Sequence, residues 1–152
     1  MALLGPATPR QLAVGIALVR IITGVVFIAH GYQKFFVFGI AGATGAFTQM
    51  GIPAPTITAP AVAILELAGG IALILGLLTR IAALGFVVEM LGAIFLVHLK
   101  NGFFLPNGAE FALTLLMSSL ALVIAGAGAF SVDEAIASRR FVSTGDSYSR
   151  TS

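Results

Sequence analysis

The side chains in this sequence that could do chemistry are few and oddly placed. Arg20 and His30 lie within one apolar run, Glu66 within a second and Glu89 within a third, while Lys34, His98 and Glu110 stand at the edges of such runs. Carboxylates and imidazoles can relay protons, and together with an ammonium they can hydrogen-bond the polar head of an otherwise greasy molecule. A charge at the centre of a membrane helix costs about 2.5 to 3.5 kcal/mol on insertion scales, so it is not kept there without a partner or a task.

Other chemistries are excluded by what is missing. The chain has no cysteine, which removes disulfide frameworks, thiol redox pairs, thiolate zinc sites and thioether-linked haem. The two histidines and the carboxylates show no H-x-x-E or H-x-x-x-H spacing, so no metal site is expected. Any redox chemistry would use a bound molecule, such as a quinone, or a partner enzyme. The net charge of +2 is carried by basic residues scattered singly apart from Arg139-Arg140, a pattern that does not suit nucleic acid.

The elements that must position these groups follow from hydropathy. The 152 residues are 59% hydrophobic and 9% charged, with a mean hydropathy of +1.07; a soluble domain carries about 25% charged residues. Runs of about 20 apolar residues span a hydrocarbon core. Four are expected: Gln11 to Tyr32, Pro60 to Leu78, Ile81 to His98 and Ala109 to Gly126. The first lacks a compact small-residue cleavage site and reads as a retained helix. Between the first two, residues 33–59 are rich in Gly, Thr and Pro yet hold Phe35, Phe36, Phe38 and Phe47, which predicts an interfacial or re-entrant segment.

The predicted fold is therefore an all-α membrane protein: a four-transmembrane-helix bundle over residues 11–128, a short tail over 1–10, and a C-terminal region over 129–152. There Ser131-x-x-Glu134 reads as a capping box that starts a short polar helix to about Arg140, and a disordered tail follows from Ser143. Arg10, Arg80, Arg139, Arg140 and Arg150 fall on one side against Lys34 and Lys100 on the other. That bias places both termini in the cytoplasm.

Small residues three or four positions from the charges (Gly24, Gly31, Ala63, Gly69, Gly70, Gly85, Gly92) put charge and close packing on the same helix faces. Counted at about 1.5 Å per residue from the cytoplasmic ends, Arg20 and Glu89 both lie roughly 13 to 14 Å deep and Glu66 roughly 21 Å. Arg20 and Glu89 are thus the expected buried structural ion pair. His30, Lys34, Glu66, His98 and Glu110 gather toward the outer side as an expected polar pocket for a quinone head group or for protons. A plainer reading stands beside it, in which each is satisfied locally, Glu110 by an N-x-x-E cap from Asn107 and His98 by ending its helix.

The blocks RIITGVVFIAHGYQKFF, GIPAP, ELAGGIALILGLLTRIAAL, HLKNGFFLPNGAEFALTLL and GAGAFSVD resemble the DoxX family of small bacterial membrane proteins over about Arg20 to Asp133. Arg20, Gly31, Lys34, Glu66, Gly69, Gly70, Gly76, His98 and Glu110 fall at its motif positions. The resemblance implies a four-helix inner-membrane protein. DoxD-type relatives are subunits of a thiosulfate:quinone oxidoreductase, and other members are linked to oxidative-stress or thiol-sulfur enzymes, so an accessory role in quinone-linked redox chemistry is the first expectation. A small-solute or proton transporter is a second. A scaffold recruiting a soluble enzyme, or forming a homo-oligomer, is a third.

The basic imbalance predicts that a reporter active only in the periplasm, fused after Ser152, stays silent, whereas a reporter active only in the cytoplasm reports strongly.

Overall fold

A computed structural model describes residues 5–139, and among them every regular element is helical. Helix α1 (Pro9–Val37) opens on a capping box. Thr8 accepts the Gln11 amide at 3.3 Å, Gln11 Oε1 accepts the Thr8 amide at 2.8 Å, and Pro9 takes the first helical position, where its missing N–H costs nothing. The start therefore lies just before the expected Gln11. The end lies beyond Tyr32, because a π-helical turn over Gln33–Val37 carries the axis onward.

Helix α2 (Gly39–Met50) fills most of the segment expected at the interface. A short turn leads to α3 (Pro55–Leu75), so Pro60 lies inside the helix rather than in its first turn; Pro55 takes that position instead. Helix α4 (Thr79–Asn101) and α5 (Glu110–Ala125) follow, and residues 132–139 form a short helix, α6. Ser131 accepts the Glu134 amide at 3.2 Å, the first half of the expected capping box. The expected disorder from Ser143 onward lies outside the described residues.

Three helices, α1 with 29 residues, α3 with 21 and α4 with 23, are long and apolar enough to cross a membrane. Helix α5 is equally apolar, but its 16 residues reach only about 24 Å against a hydrocarbon core of about 30 Å. The radial distribution of side chains is inverted relative to a soluble protein. Leu18, Ile22, Ile81, Leu84, Phe95 and Ile124 are exposed, while Arg20 and Glu66 are buried, as expected where lipid is the solvent.

Helix α1 packs along α3, α4 along α5, and α2 against α3 and the end of α1. Gly24 and Gly70 allow the first contact: a Cβ on either would come within 2.8 Å of the other's carbonyl oxygen. Phe27 and Phe86 stack at 3.6 Å between ring centroids with planes 7° apart, and with Leu73 and Leu122 they fill the core.

Arg20 does not pair with Glu89. Its guanidinium donates to the carbonyls of Ala127 and of Phe130, the latter at 2.6 Å, just past the end of α5, and Asp133 stands close enough to supply negative charge. The depth count took α1 and α4 to start at one level, whereas Phe27 stacks on Phe86, so Arg20 lies level with the start of α4 and Glu89 roughly 15 Å further out. Side chains lean toward the helix N-terminus, and that lean delivers Arg20 to the carbonyls of the chain just past α5.

Asp133 in turn accepts the amides of Leu78 and Thr79 at 2.8 and 3.0 Å and so caps α4, while its own amide donates to Gly76 at 2.9 Å. Gly76 has φ +67° and lies against both Arg20 and Ser131, where any Cβ would collide. Arg20→Lys keeps the charge but loses the planar fork that reaches two carbonyls. Thermal unfolding in detergent should register a loss of about 2 kcal/mol, in the range for one hydrogen bond to a charged group.

Candidate functional site

Away from this latch, at the opposite end of the helices, the interior is hollow. A cavity of about 570 Å³ lies among α1 to α5, within the about 300 to 1,000 Å³ of small-molecule sites. Its walls are mostly apolar, with Phe27, Phe38, Phe47, Met50, Val62 and Leu115 among them, and its polar groups converge from His30, Gln33, Lys34, Glu66, Glu89 and His98.

Lys34 and Glu66 form its anchor. The Lys34 ammonium donates to both Glu66 oxygens, at 2.6 and 2.7 Å; it is the one ion pair among the described residues, with side chains 17% and 5% exposed. The geometry follows from helix direction. Helices α1 and α3 are antiparallel, so the N-terminal lean of each side chain tips Lys34 inward and Glu66 outward, toward each other. Gly31, one turn before Lys34, lets the α1 backbone press onto Glu66: a Cβ there would lie 3.1 Å from the Glu66 Cβ and 2.7 Å from the Leu67 amide nitrogen.

Glu89 completes the cluster from α4. Its carboxyl lies beside that of Glu66 and within the field of Lys34, and its Oε2 is buried without a hydrogen-bond partner. A buried acceptor that finds no protein donor costs roughly 1 to 3 kcal/mol, more if charged, so this oxygen calls for a donor brought by something in the cavity. His30 sits alongside and meets Phe111 at 6.0 Å between ring centroids.

All three π-helical turns, Gln33–Val37, Leu65–Gly69 and Ile94–His98, contribute residues to the cavity wall. Such turns widen a helix locally and recur at functional sites. Here they re-aim Lys34, Glu66 and His98 without breaking the apolar helices that carry them.

Of the residues expected in the pocket, His30, Lys34, Glu66 and His98 therefore share one cavity. Glu110 does not: its carboxylate accepts the Leu105 amide at 2.7 Å and shapes the 102–109 loop. His98 also braces that loop, with Nδ1 2.9 Å from the Asn107 carbonyl. Glu89, expected to be structural, turns into the cavity instead. The wall made by Phe38 and by α2 (Ala43, Phe47, Met50) goes beyond the sequence reading, although its greasiness within a Gly-rich segment was the available signal.

An apolar helical protein with a polar cluster in a cavity among its helices is a membrane protein. Its relatives give the family. The DoxX family profile matches residues 15–99. The chain is 36% identical over 124 residues to CatD of Bacillus subtilis, named as a candidate oxidoreductase, with 82% of this chain and 88% of that one covered. It is 32% identical over 149 residues to an uncharacterised membrane protein of Mycobacterium tuberculosis (88% and 91% covered), and 36% identical over 122 residues to the inner membrane protein YqjF of Escherichia coli (79% and 90% covered). No solved structure matches it. The chain belongs to the DoxX family.

Removing one partner of a buried ion pair is far costlier than removing both. Lys34→Met should therefore destabilise the protein by about 3 kcal/mol, and Lys34→Met combined with Glu66→Leu should recover most of the loss. Unfolding midpoints in detergent for the single and double variants check this.

Proposed function

We propose that this protein is an inner-membrane accessory of quinone-linked redox chemistry, and that the cavity holds the quinone head group. In this reading α5 crosses the bilayer with α1, α3 and α4 to make four spans, and both termini are cytoplasmic. The observation that carries it is the unpartnered Glu89 Oε2 facing a largely apolar cavity beside the Lys34–Glu66 pair. The name of the Bacillus subtilis relative supports a redox role.

The residues fit such a head. Lys34 can donate to a ring carbonyl, while Glu89 can accept from a ring hydroxyl, so the site offers one partner to each redox form. When bound, a quinone supplies two-electron, two-proton chemistry. The chain's part is to orient the ring, exclude water through the Phe27, Phe38 and Phe47 walls, and hold or pass a proton at Glu89, Glu66 and His30. With no cysteine of its own, the chain would exchange electrons with a thiol or sulfur substrate through a partner enzyme.

The Phe27–Phe86 stack and Leu73 fill the interior inward of the cavity. A closed floor favours a binding site over a conduit, and hence this reading over a transporter.

The test exploits a conflict between stability and function. Glu89→Leu removes a buried oxygen without a partner, so it should raise the unfolding midpoint while emptying the site. Lipid-extracted protein should carry quinone near one per chain in the wild type and about tenfold less in Glu89→Leu, by mass spectrometry. Quinone no richer than in bulk membrane lipid, or unchanged by Glu89→Leu, overturns the proposal.

A further inference from the structure

The α1–α3, α4–α5 and α1–α5 flanks of the cavity are closed by packing. The α1–α3 flank is sealed by Gly24 against Gly70 and by Gly31 against Glu66 and Leu67. Helices α4 and α5 run in contact along their length, and α5 is tied to α1 by Phe111 beside His30. Helix α2 lies over the outer part of α3 and the end of α1, and the Phe27–Phe86 stack makes the floor.

The α3–α4 flank differs. These helices form a hairpin whose arms touch near its base, where Gly69 meets the Phe86 ring and Gly85 meets the Leu65 methyl groups. Further out the arms part: among the described residues, Pro55–Ile64 packs on α2 and α1 and shares no packed stretch with α4. Glu66 and Glu89 sit in the fork. Above them, Thr58 and Val62 on α3 face Val88, Gly92 and Leu96 on α4 across the gap, and all of these line the cavity. Val88 lines the cavity and yet is 65% exposed at the outer surface of the protein. A Cβ built on Gly92 meets nothing within 4 Å.

We propose that this fork is a sideways doorway from the hydrocarbon core, and that its occupant is the alkyl tail of the molecule whose head lies at Lys34, Glu66 and Glu89. The inference rests on the quinone reading and adds the class of ligand: a head group carrying a long apolar chain, taken from the lipid phase rather than from water. The gap is continuous with the head-group cavity, its edges are apolar apart from Thr58, and the polar cluster lies at its closed end. A head anchored at the fork therefore leads its tail out between Val62 and Gly92 into lipid. Gly92 keeps the doorway wide, since any side chain there projects into the gap.

The absence of native cysteine allows a test that does not depend on a variant folding around a bulky residue. Gly92→Cys protein, purified and folded, is split; one half is capped with a bulky maleimide, and no other thiol competes. A decyl-tailed benzoquinone and the same ring without a tail are titrated against wild type, the uncapped variant and the capped variant in detergent.

The doorway predicts that capping weakens the tailed ligand roughly tenfold while the tailless ring binds within about twofold of its uncapped affinity. Equal loss of both ligands, or no loss of either, overturns the doorway and leaves the head-group site standing. Failure of both ligands to bind wild-type protein overturns the quinone reading, and the doorway with it.

Discussion

The structure depends on how a carboxylate at Glu66 is kept inside an apolar bundle. No water is at hand in the hydrocarbon core to solvate it, so its cation must come from the protein and must come close. Lys34 meets that demand from the neighbouring helix, and the demand propagates outward. Gly31 must be small for α1 to approach Glu66, Gly24 and Gly70 must be small for the approach to continue down the helix, and the π-helical turns at Gln33–Val37 and Leu65–Gly69 set the rotation at which the two charges meet. The ion pair thus specifies how α1 and α3 pack, a role buried ionic groups perform better than they add raw stability.

The two ends of the molecule use their charges for opposite purposes. At the Arg20 end the charges are answered: the guanidinium holds the chain just past α5, Asp133 closes the start of α4, and Gly76 lets both come together. This end is a latch. At the Glu66 end one carboxylate is answered by Lys34 and the next, Glu89, is left with a free oxygen against open volume. What sets Glu89 apart is that its unpartnered oxygen faces open volume, which leaves room there for a donor the fold does not itself supply.

Much of this was legible in the sequence because hydropathy and helical spacing are one-dimensional signals. The apolar runs marked the membrane helices, the small-residue stripes marked the packing faces, and His30 and Glu66 within the runs, with Lys34 and His98 at their edges, marked the cavity. What was not legible depended on where each helix begins and how it is rotated. Arg20 and Glu89 agree in depth only if α1 and α4 start level, and the Phe27–Phe86 stack shows that α1 starts well before α4 along the bundle. The π-helical turns leave no clear sequence mark, so Lys34 read as a residue at the membrane edge although its helix continues past it and its side chain leans inward. Glu110 lies toward the outer side as expected, but its carboxylate accepts a loop amide five residues back. The helix Gly39–Met50 shows how a segment rich in glycine can still be helical where Phe38, Ala43 and Phe47 have a cavity to line.

The central claim is that the Lys34–Glu66–Glu89 cluster receives a quinone head inside the protein. Photolabelling in native membranes with an azido-quinone, followed by peptide mapping, tests it most directly. The account predicts labels on the cavity faces of residues 30–50 and 88–98, suppressed by excess unlabelled quinone. Labels spread over the lipid-facing positions Leu18, Ile22, Ile81 and Ile124, and indifferent to competitor, would contradict it.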